Sequence, residues 1–383
     1  MTLPAVLDDM QSIKSIDKEG MLKIQMAFPE HCKDALRRGD AVKALERSDV
    51  SRNMKIAYKK PDNIIIAGMG GSAVGGDVLK DWLRDDARVP IEVSREYHLP
   101  AYADDRTLVL AVSYSGNTEE TLSSFVEAVE RRCMIIAVSS GGQLENFSQR
   151  LGTPLVKLPE NLPPRAAFPY LFFPLATVLK KLGVFTPSVQ EIEETIKTLE
   201  DLRDEVRPET PTSRNLAKQL ALEVKDHIPF VYGFGFYRSV ALRMKTQFNE
   251  NSKMLSKYEY FPELNHNEVV GWTEPKETAK YFVVILIRDP DEPPEIRSRI
   301  DITRRIALED RAGKILEVVG RGRSRLSKML SVIYLADLVS VYLAILNGVD
   351  PTPVELIDRM KSELSRRTQT AETLRRFERL TES

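Results

Sequence analysis

Two short stretches of the chain concentrate hydroxyls and glycines in the pattern a phosphate dianion needs. The first is Ser113-Tyr114-Ser115-Gly116-Asn117-Thr118-Glu119-Glu120, between the apolar run Thr107–Val112 and a helical stretch. The hydroxyls of Ser113, Ser115 and Thr118 meet the unpaired N–H groups of a helix N-terminus there, and both favour negative charge. A plainer reading of the same residues makes Thr118 an N-cap and the serines turn formers. The second stretch is Gly68-Met69-Gly70-Gly71-Ser72-Ala73-Val74-Gly75-Gly76, after Asn63–Ala67. It can be forced into G-x-G-x-x-A, with Glu96 about 20 residues on, as a dinucleotide fold would have. A second hydroxyl-rich turn one strand later argues otherwise. Two adjacent strand ends of this kind suit one small phosphorylated ligand at a sheet switch point.

Positioning such turns takes alternating strands and helices, and the chain supplies them twice. In the first half, strands are expected at Asn63–Ala67, Ile91–Val93, Thr107–Val112 and Cys133–Val138. Helices are expected over Ser72–Leu83, Thr118–Glu130 and Arg165–Leu182. In the second half, strands are expected at Ile228–Tyr232, Tyr281–Ile287 and Lys314–Val319. Helices there are expected over Arg238–Asn251, Ile296–Leu308 and Leu326–Leu346. The pattern predicts an α/β protein with two doubly wound domains, each a parallel sheet flanked by helices. The divisions read as 1–185 for a first domain with N-terminal helices, 186–225 for a helical connector, 226–350 for a second domain, and 351–383 for C-terminal helices packing across.

Composition narrows the function. At ~100–200 residues per domain, 383 residues make two or three domains. Lys plus Arg number 55 against 56 Asp plus Glu, so no general electrostatic footprint marks nucleic acid or an anionic membrane as a partner. Two cysteines, Cys32 and Cys133, exclude a disulfide scaffold and a cysteine zinc cluster, and Cys133 at a strand start reads as core. The 4 histidines never occur at H-x-x-x-H spacing, so no dedicated metal site is expected. The N-terminus lacks the apolar segment of a signal peptide. The apolar run Leu330–Leu346 is interrupted by Asp337 and shorter than the ~20 residues of a membrane span, so a buried helix in a cytoplasmic protein is expected.

The two turns resemble those of a sugar isomerase (SIS) domain, and the whole chain is similar to the bifunctional phosphoglucose/phosphomannose isomerases. The ordered set is GMGGSAVGGD at 68–77, SYSGNTEET at 113–121, PPRAAFPY at 163–170, QFNENSK at 247–253, PELNHNE at 262–268 and a lysine in DRMKSEL at 358–364. The resemblance implies that the Gly71 N–H with Ser72, Ser113, Ser115 and Thr118 holds a sugar 6-phosphate. It implies Glu250 as the carboxylate base and His266 as the group assisting ring opening, reaching in from the other subunit of a homodimer. Lys361 would be a second proton-transfer or ring-opening group, and Arg165 a positive charge near the reacting oxygens. Tolerance for mannose epimers would rest on a small hydroxyl residue, for which Thr352 is the candidate.

That chemistry suits these residue types. An aldose phosphate becomes a ketose phosphate when its ring opens and a proton moves between C2 and C1 through an enediol. One carboxylate can take and return that proton if its environment raises its pKa. An arginine keeps its charge beside the enediolate, and a neutral histidine can pass a proton to the ring oxygen. No metal or redox cofactor is required. Alternatives are an amino-sugar phosphate isomerase, a sugar-phosphate sensor without catalysis, and a dehydrogenase. No helix-turn-helix or basic face supports a DNA-binding regulator.

Overall fold

The expected strands form two parallel sheets, one in each of two compact units of the chain. A computed structural model describes residues 3–42, 47–51, 54–274, 276–365 and 370–382. One unit comprises Glu30–Pro187 with Val354–Ser383, and the other Met1–Pro29 with Ser188–Pro353.

In the first of these units the helix Phe28–Asp40, which enters it at Glu30, precedes an antiparallel hairpin of β1 (Arg47–Ser51) and β2 (Met54–Ala57). Its main sheet contains β3 (Asn63–Ala67), β4 (Ile91–Ser94), β5 (Thr107–Val112), β6 (Met134–Ser139) and β7 (Leu155–Lys157), in the order β4-β3-β5-β6-β7. Every residue of β5 and β6 is buried, as strands covered by helices on both faces must be, which explains their unbroken apolar sequence. The chain leaves β3 to one side for β4 and returns to the other for β5. That reversal makes the carboxyl ends of β3 and β5 a topological switch point, and both phosphate-type turns stand there.

The C-terminal helix Thr370–Glu382 belongs to this unit. Phe377 stacks on Phe147 at 3.7 Å between ring centroids, and Arg150 makes a two-pronged ion pair with Glu378 at 2.8 and 2.7 Å. Exposed pairs contribute little, so the aromatic anchor dominates. Phe377→Ala is expected to cost about 3–5 kcal/mol of the unit's stability, read by denaturant titration.

The second unit holds β8 (Ile228–Phe234), β9 (Lys257–Phe261), β10 (Phe282–Arg288) and β11 (Lys314–Val319), in the order β11-β10-β8-β9. The same reversal recurs between β8 and β10. The helix Arg325–Leu346 has 22 residues, longer than its apolar run implied and long enough to cross a membrane, but it is buried throughout as the unit's core. Helices Val189–Val206 and Leu216–Val224 pack on it, and Leu199, Leu202, Ala221 and Val224 on them are buried.

The unit boundaries differ from the divisions expected from sequence. Residues 188–225 are part of this second unit and not a separate connector, because their apolar positions complete its core. The N-terminal helices also join it: Phe28 stacks on Tyr334 at 5.0 Å, and Asp8 pairs with the buried Lys218 at 3.1 Å. Strands β1, β2, β7 and β9 lie outside the expected set. Three-residue β7 is too short to show a period, and in Lys257–Phe261 the charges of Lys257 and Glu259 break the uniformly apolar run that marks an inner strand.

Candidate active site

In the first unit the two turns are joined. The amide of Tyr114 donates to Ser72 Oγ at 3.3 Å, so the helix Gly70–Leu83 and the β5 turn meet through one hydroxyl. Gly70 takes φ +50°, and no side chain caps the helix it opens. Inside the β5 turn, Ser113 Oγ accepts from the Gly116 amide at 3.0 Å and lies 2.8 Å from Thr118 Oγ1. Thr118 precedes the helix Glu119–Glu130 but does not cap it with its side chain. Its hydroxyl turns to Ser113 instead, while Ser113 and Ser115 both act as turn formers, Ser115 Oγ accepting from the Asn117 amide at 3.3 Å. Ser113 is buried, Thr118 half-buried and Ser115 exposed, so the hydroxyls lead from the sheet edge outward.

The turn is braced by the loop after β6. Gly116, at φ +71°, is so close to that loop that an added Cβ would fall 1.7 Å from the Gly141 carbonyl oxygen. The Gly116 carbonyl accepts from the Leu144 amide at 2.9 Å, and Ser140 Oγ donates to the Tyr114 carbonyl at 2.6 Å. Gly116→Ala is therefore expected to splay the turn and weaken binding of a phosphate ester by about tenfold or more, measured by calorimetry.

Arg165 reaches the same place by a route the sequence did not disclose. The Tyr114 hydroxyl donates to the Pro159 carbonyl at 2.8 Å and accepts from the Leu162 amide at 2.9 Å, which fixes the segment leading to Pro163-Pro164-Arg165. A Cβ on Gly71 would stand 3.3 Å from the Pro164 oxygen and 3.5 Å from Arg165 Cα, so Arg165 packs on the N-terminus of the helix Gly70–Leu83. Its side chain is buried, 3% exposed. Gly71, Ser72, Ser113, Thr118 and the backbone of Arg165 thus lie together in one cradle at the carboxyl ends of β3 and β5, with Ser115 exposed at its rim. Lys361 lies in the same unit on the helix Glu355–Ser365, exposed, and no hydrogen bond or ion pair engages it among the described residues.

In the second unit, Glu250 is the last residue of the helix Arg238–Glu250 and is half-buried. The end of that helix is clamped to Arg325–Leu346 by buried polar groups. Arg243 Nη2 donates to Asp337 Oδ2 at 2.6 Å and Gln247 Nε2 to Asp337 Oδ1 at 2.7 Å. Asn251 Nδ2 donates to Ser340 Oγ at 2.9 Å, and Ser252 Oγ to the Ser340 carbonyl at 2.7 Å. Complete burial pushes the Asp337 carboxyl up, and the Arg243 guanidinium with the Gln247 amide opposes the shift. Asp337, which broke the apolar run in the sequence, is the partner of this clamp. Lys253 Nζ donates to the Glu250 carbonyl at 2.5 Å and to the Pro351 carbonyl at 3.0 Å. Thr352 follows, half-buried, its amide donating to Asp350 Oδ1 at 2.9 Å. His266 ends a short 3-10 turn, Glu263–His266, and is exposed.

Known proteins carry a similar sequence over most of this length. A bifunctional phosphoglucose/phosphomannose isomerase of Caldicellulosiruptor bescii is 41% identical over 320 residues, covering 83% of this chain and 94% of its own. One from Aquifex aeolicus is 36% identical over 323 residues, covering 84% and 95%. The chain belongs to the bifunctional phosphoglucose/phosphomannose isomerase family. The model of the bacterial phospho-glucose isomerase C-terminal SIS domain matches residues 213–364, which lie mostly in the second unit. A D-glucosamine-6-phosphate 4-epimerase of Sulfolobus acidocaldarius is a further relative of this family member, 32% identical over 62% of this chain and 72% of its own. Among solved structures, a glucose-6-phosphate isomerase like protein from Thermus thermophilus shares the fold, with a TM-score of 0.57 and 19% identity over 92% of this chain and 99% of its own.

Proposed function

We propose that this family member interconverts glucose 6-phosphate and fructose 6-phosphate, and accepts mannose 6-phosphate as well, in a cytoplasmic homodimer. The observation that carries the reading is the cradle, in which Ser72 is tied to the Ser113–Thr118 turn and Arg165 backs the same helix terminus. Ser113, Ser115, Thr118, Ser72 and the Gly71 N–H hold the phosphate dianion, as converging hydroxyls and a helix N-terminus favour. His266, supplied by the second subunit, passes a proton to the ring oxygen as the hemiacetal opens. Glu250 then removes the C2 proton, the charge moves onto the enediolate oxygens beside Arg165, and Glu250 returns the proton to C1. Lys361 serves as a second proton-transfer or ring-opening group. The route needs neither metal nor redox cofactor.

A second reading, isomerisation of an amino-sugar phosphate at the same site, draws on the glucosamine-6-phosphate epimerase among the relatives. The test is a coupled assay of purified, chelator-treated chain with fructose 6-phosphate, reading glucose 6-phosphate and mannose 6-phosphate separately. Formation of both is expected. Turnover of glucosamine 6-phosphate without turnover of fructose 6-phosphate would install the second reading. Melting temperature raised by sugar phosphate without any turnover would make the chain a sensor.

A further inference from the structure

Two residues after His266, Glu268 is anchored on the sheet of its own unit. One carboxylate oxygen accepts from the Tyr232 hydroxyl at 2.6 Å, and the other from Lys257 Nζ at 2.6 Å. The Tyr232 oxygen accepts in turn from Trp272 Nε1 at 3.0 Å. Tyr232 lies on β8, an inner strand of the sheet, and is 1% exposed, while the Glu268 side chain is 9% exposed. Burial, and after it the charge of Glu268, holds the Tyr232 phenol well above its ordinary pKa, so it remains a donor. Charge-assisted hydrogen bonds out of solvent are among the stronger and better-oriented ones.

The segment needs such an anchor. Leu264 is buried on one side of His266, but His266 itself is exposed and its immediate neighbours are tied by side-chain bonds: Asn265 Nδ2 donates to Thr303 Oγ1 at 2.7 Å, and Asn267 Nδ2 to Glu263 Oε1 at 2.8 Å. Beside Glu268 is a cavity of about 210 Å³, walled by Phe230, Trp272 and Phe282. The segment therefore has room to shift if the carboxylate lets go. Strand β8 also leads, through Gly235–Tyr237, into the helix that ends at Glu250, so the strand that holds Glu268 begins the element that carries the base.

We propose that Glu268, gripped by Lys257 and by a Tyr232 hydroxyl that Trp272 holds in turn, is a positioning residue for His266 in the isomerase reaction. The proposal rests on the reading of His266 as the ring-opening group. Glu268→Gln keeps the shape but removes the charge that both partners hold and leaves a single amide oxygen to accept from Tyr232 or from Lys257, so the grip weakens and the segment moves. A displacement near 1 Å at a reacting group can cost about 10²-fold in rate.

Ring opening can be read apart from proton transfer. A group that opens the hemiacetal also recloses it on either face, so it speeds interconversion of the α and β anomers of glucose 6-phosphate. Glu250→Gln is expected to keep that anomerisation while losing isomerisation, and exchange NMR on this variant reads ring opening alone. Adding Glu268→Gln should slow anomerisation about tenfold or more while the Kd for fructose 6-phosphate, from calorimetry, stays within about twofold. Tyr232→Phe in the same background should act in the same direction, and it replaces Glu268→Gln should the latter not fold. Unchanged anomerisation in the folded variant overturns the proposal, and so does an equal loss of anomerisation and affinity, which a general structural role would produce. The control is His266→Gln in the same background. Anomerisation that survives it, or that Glu250→Gln lacks from the start, refutes the reading of His266 itself, whatever Glu268 does.

Discussion

Glu250→Gln is expected to leave a folded protein that binds fructose 6-phosphate with nearly unchanged affinity and turns it over about 10³-fold more slowly. The magnitude follows from the step. A proton on carbon is far less acidic than one on oxygen, so without a base the barrier rises by the whole contribution of general base catalysis, about 10²–10⁴-fold. Glutamine retains the volume and one oxygen of the carboxylate but cannot accept a proton near neutral pH. The phosphate contacts lie on other residues, so KM should move little while kcat falls, the behaviour of a group that acts in the transition state and not in binding. Loss of deuterium incorporation at C2 from D₂O should accompany the loss of turnover. A variant that isomerises within about tenfold of the parent chain would place the base elsewhere.

The parts of the site that could be read from sequence are those whose chemistry is local. Ser113 to Glu120 stands out because hydroxyls, a glycine and a helix start are contiguous, and the structure folds them into one turn. Tyr114 sits in that same motif, yet its main service is to hold the segment Pro159–Leu162 ahead of Arg165, a contact between residues far apart in the chain. Pattern along the chain cannot express such a pairing. The same holds for Arg243 and Asp337, 94 positions apart, and for Tyr232 and Glu268, 36 apart. The strands were visible where burial on both faces makes them uniformly apolar, as in β5 and β6. They were hidden in β7, which has only three residues, and in β9, where Lys257 and Glu259 alternate with half-buried tyrosines. Residues 188–225 illustrate the remaining gap: their amphipathic period shows helices, but which core the apolar side completes is decided by packing.

Asp337→Asn should be the most destabilising of the conservative substitutions in the second unit. Asp337 and Arg243 are 0% and 2% exposed, and their ion pair measures 2.6 Å. Removing the carboxylate charge strands the guanidinium in the core. A buried charge that has lost its counterion costs about 3–5 kcal/mol, equivalent to a drop on the order of 10 °C in melting temperature for a unit of this size. Gln247 would lose part of its partner as well, so the deficit belongs to the network and not to one bond. The double variant Arg243→Met/Asp337→Leu removes both charges and fills the space with apolar atoms, a change that is often neutral or stabilising. Its melting temperature should recover most of the loss. Turnover should not recover with it, because Arg243, Gln247 and Asn251 hold the helix end that presents Glu250, and apolar packing restores cohesion without restoring that directional hold. Calorimetric melting and kcat measured on the single and double variants separate the two effects. Recovery of both together would mean that the clamp serves stability alone.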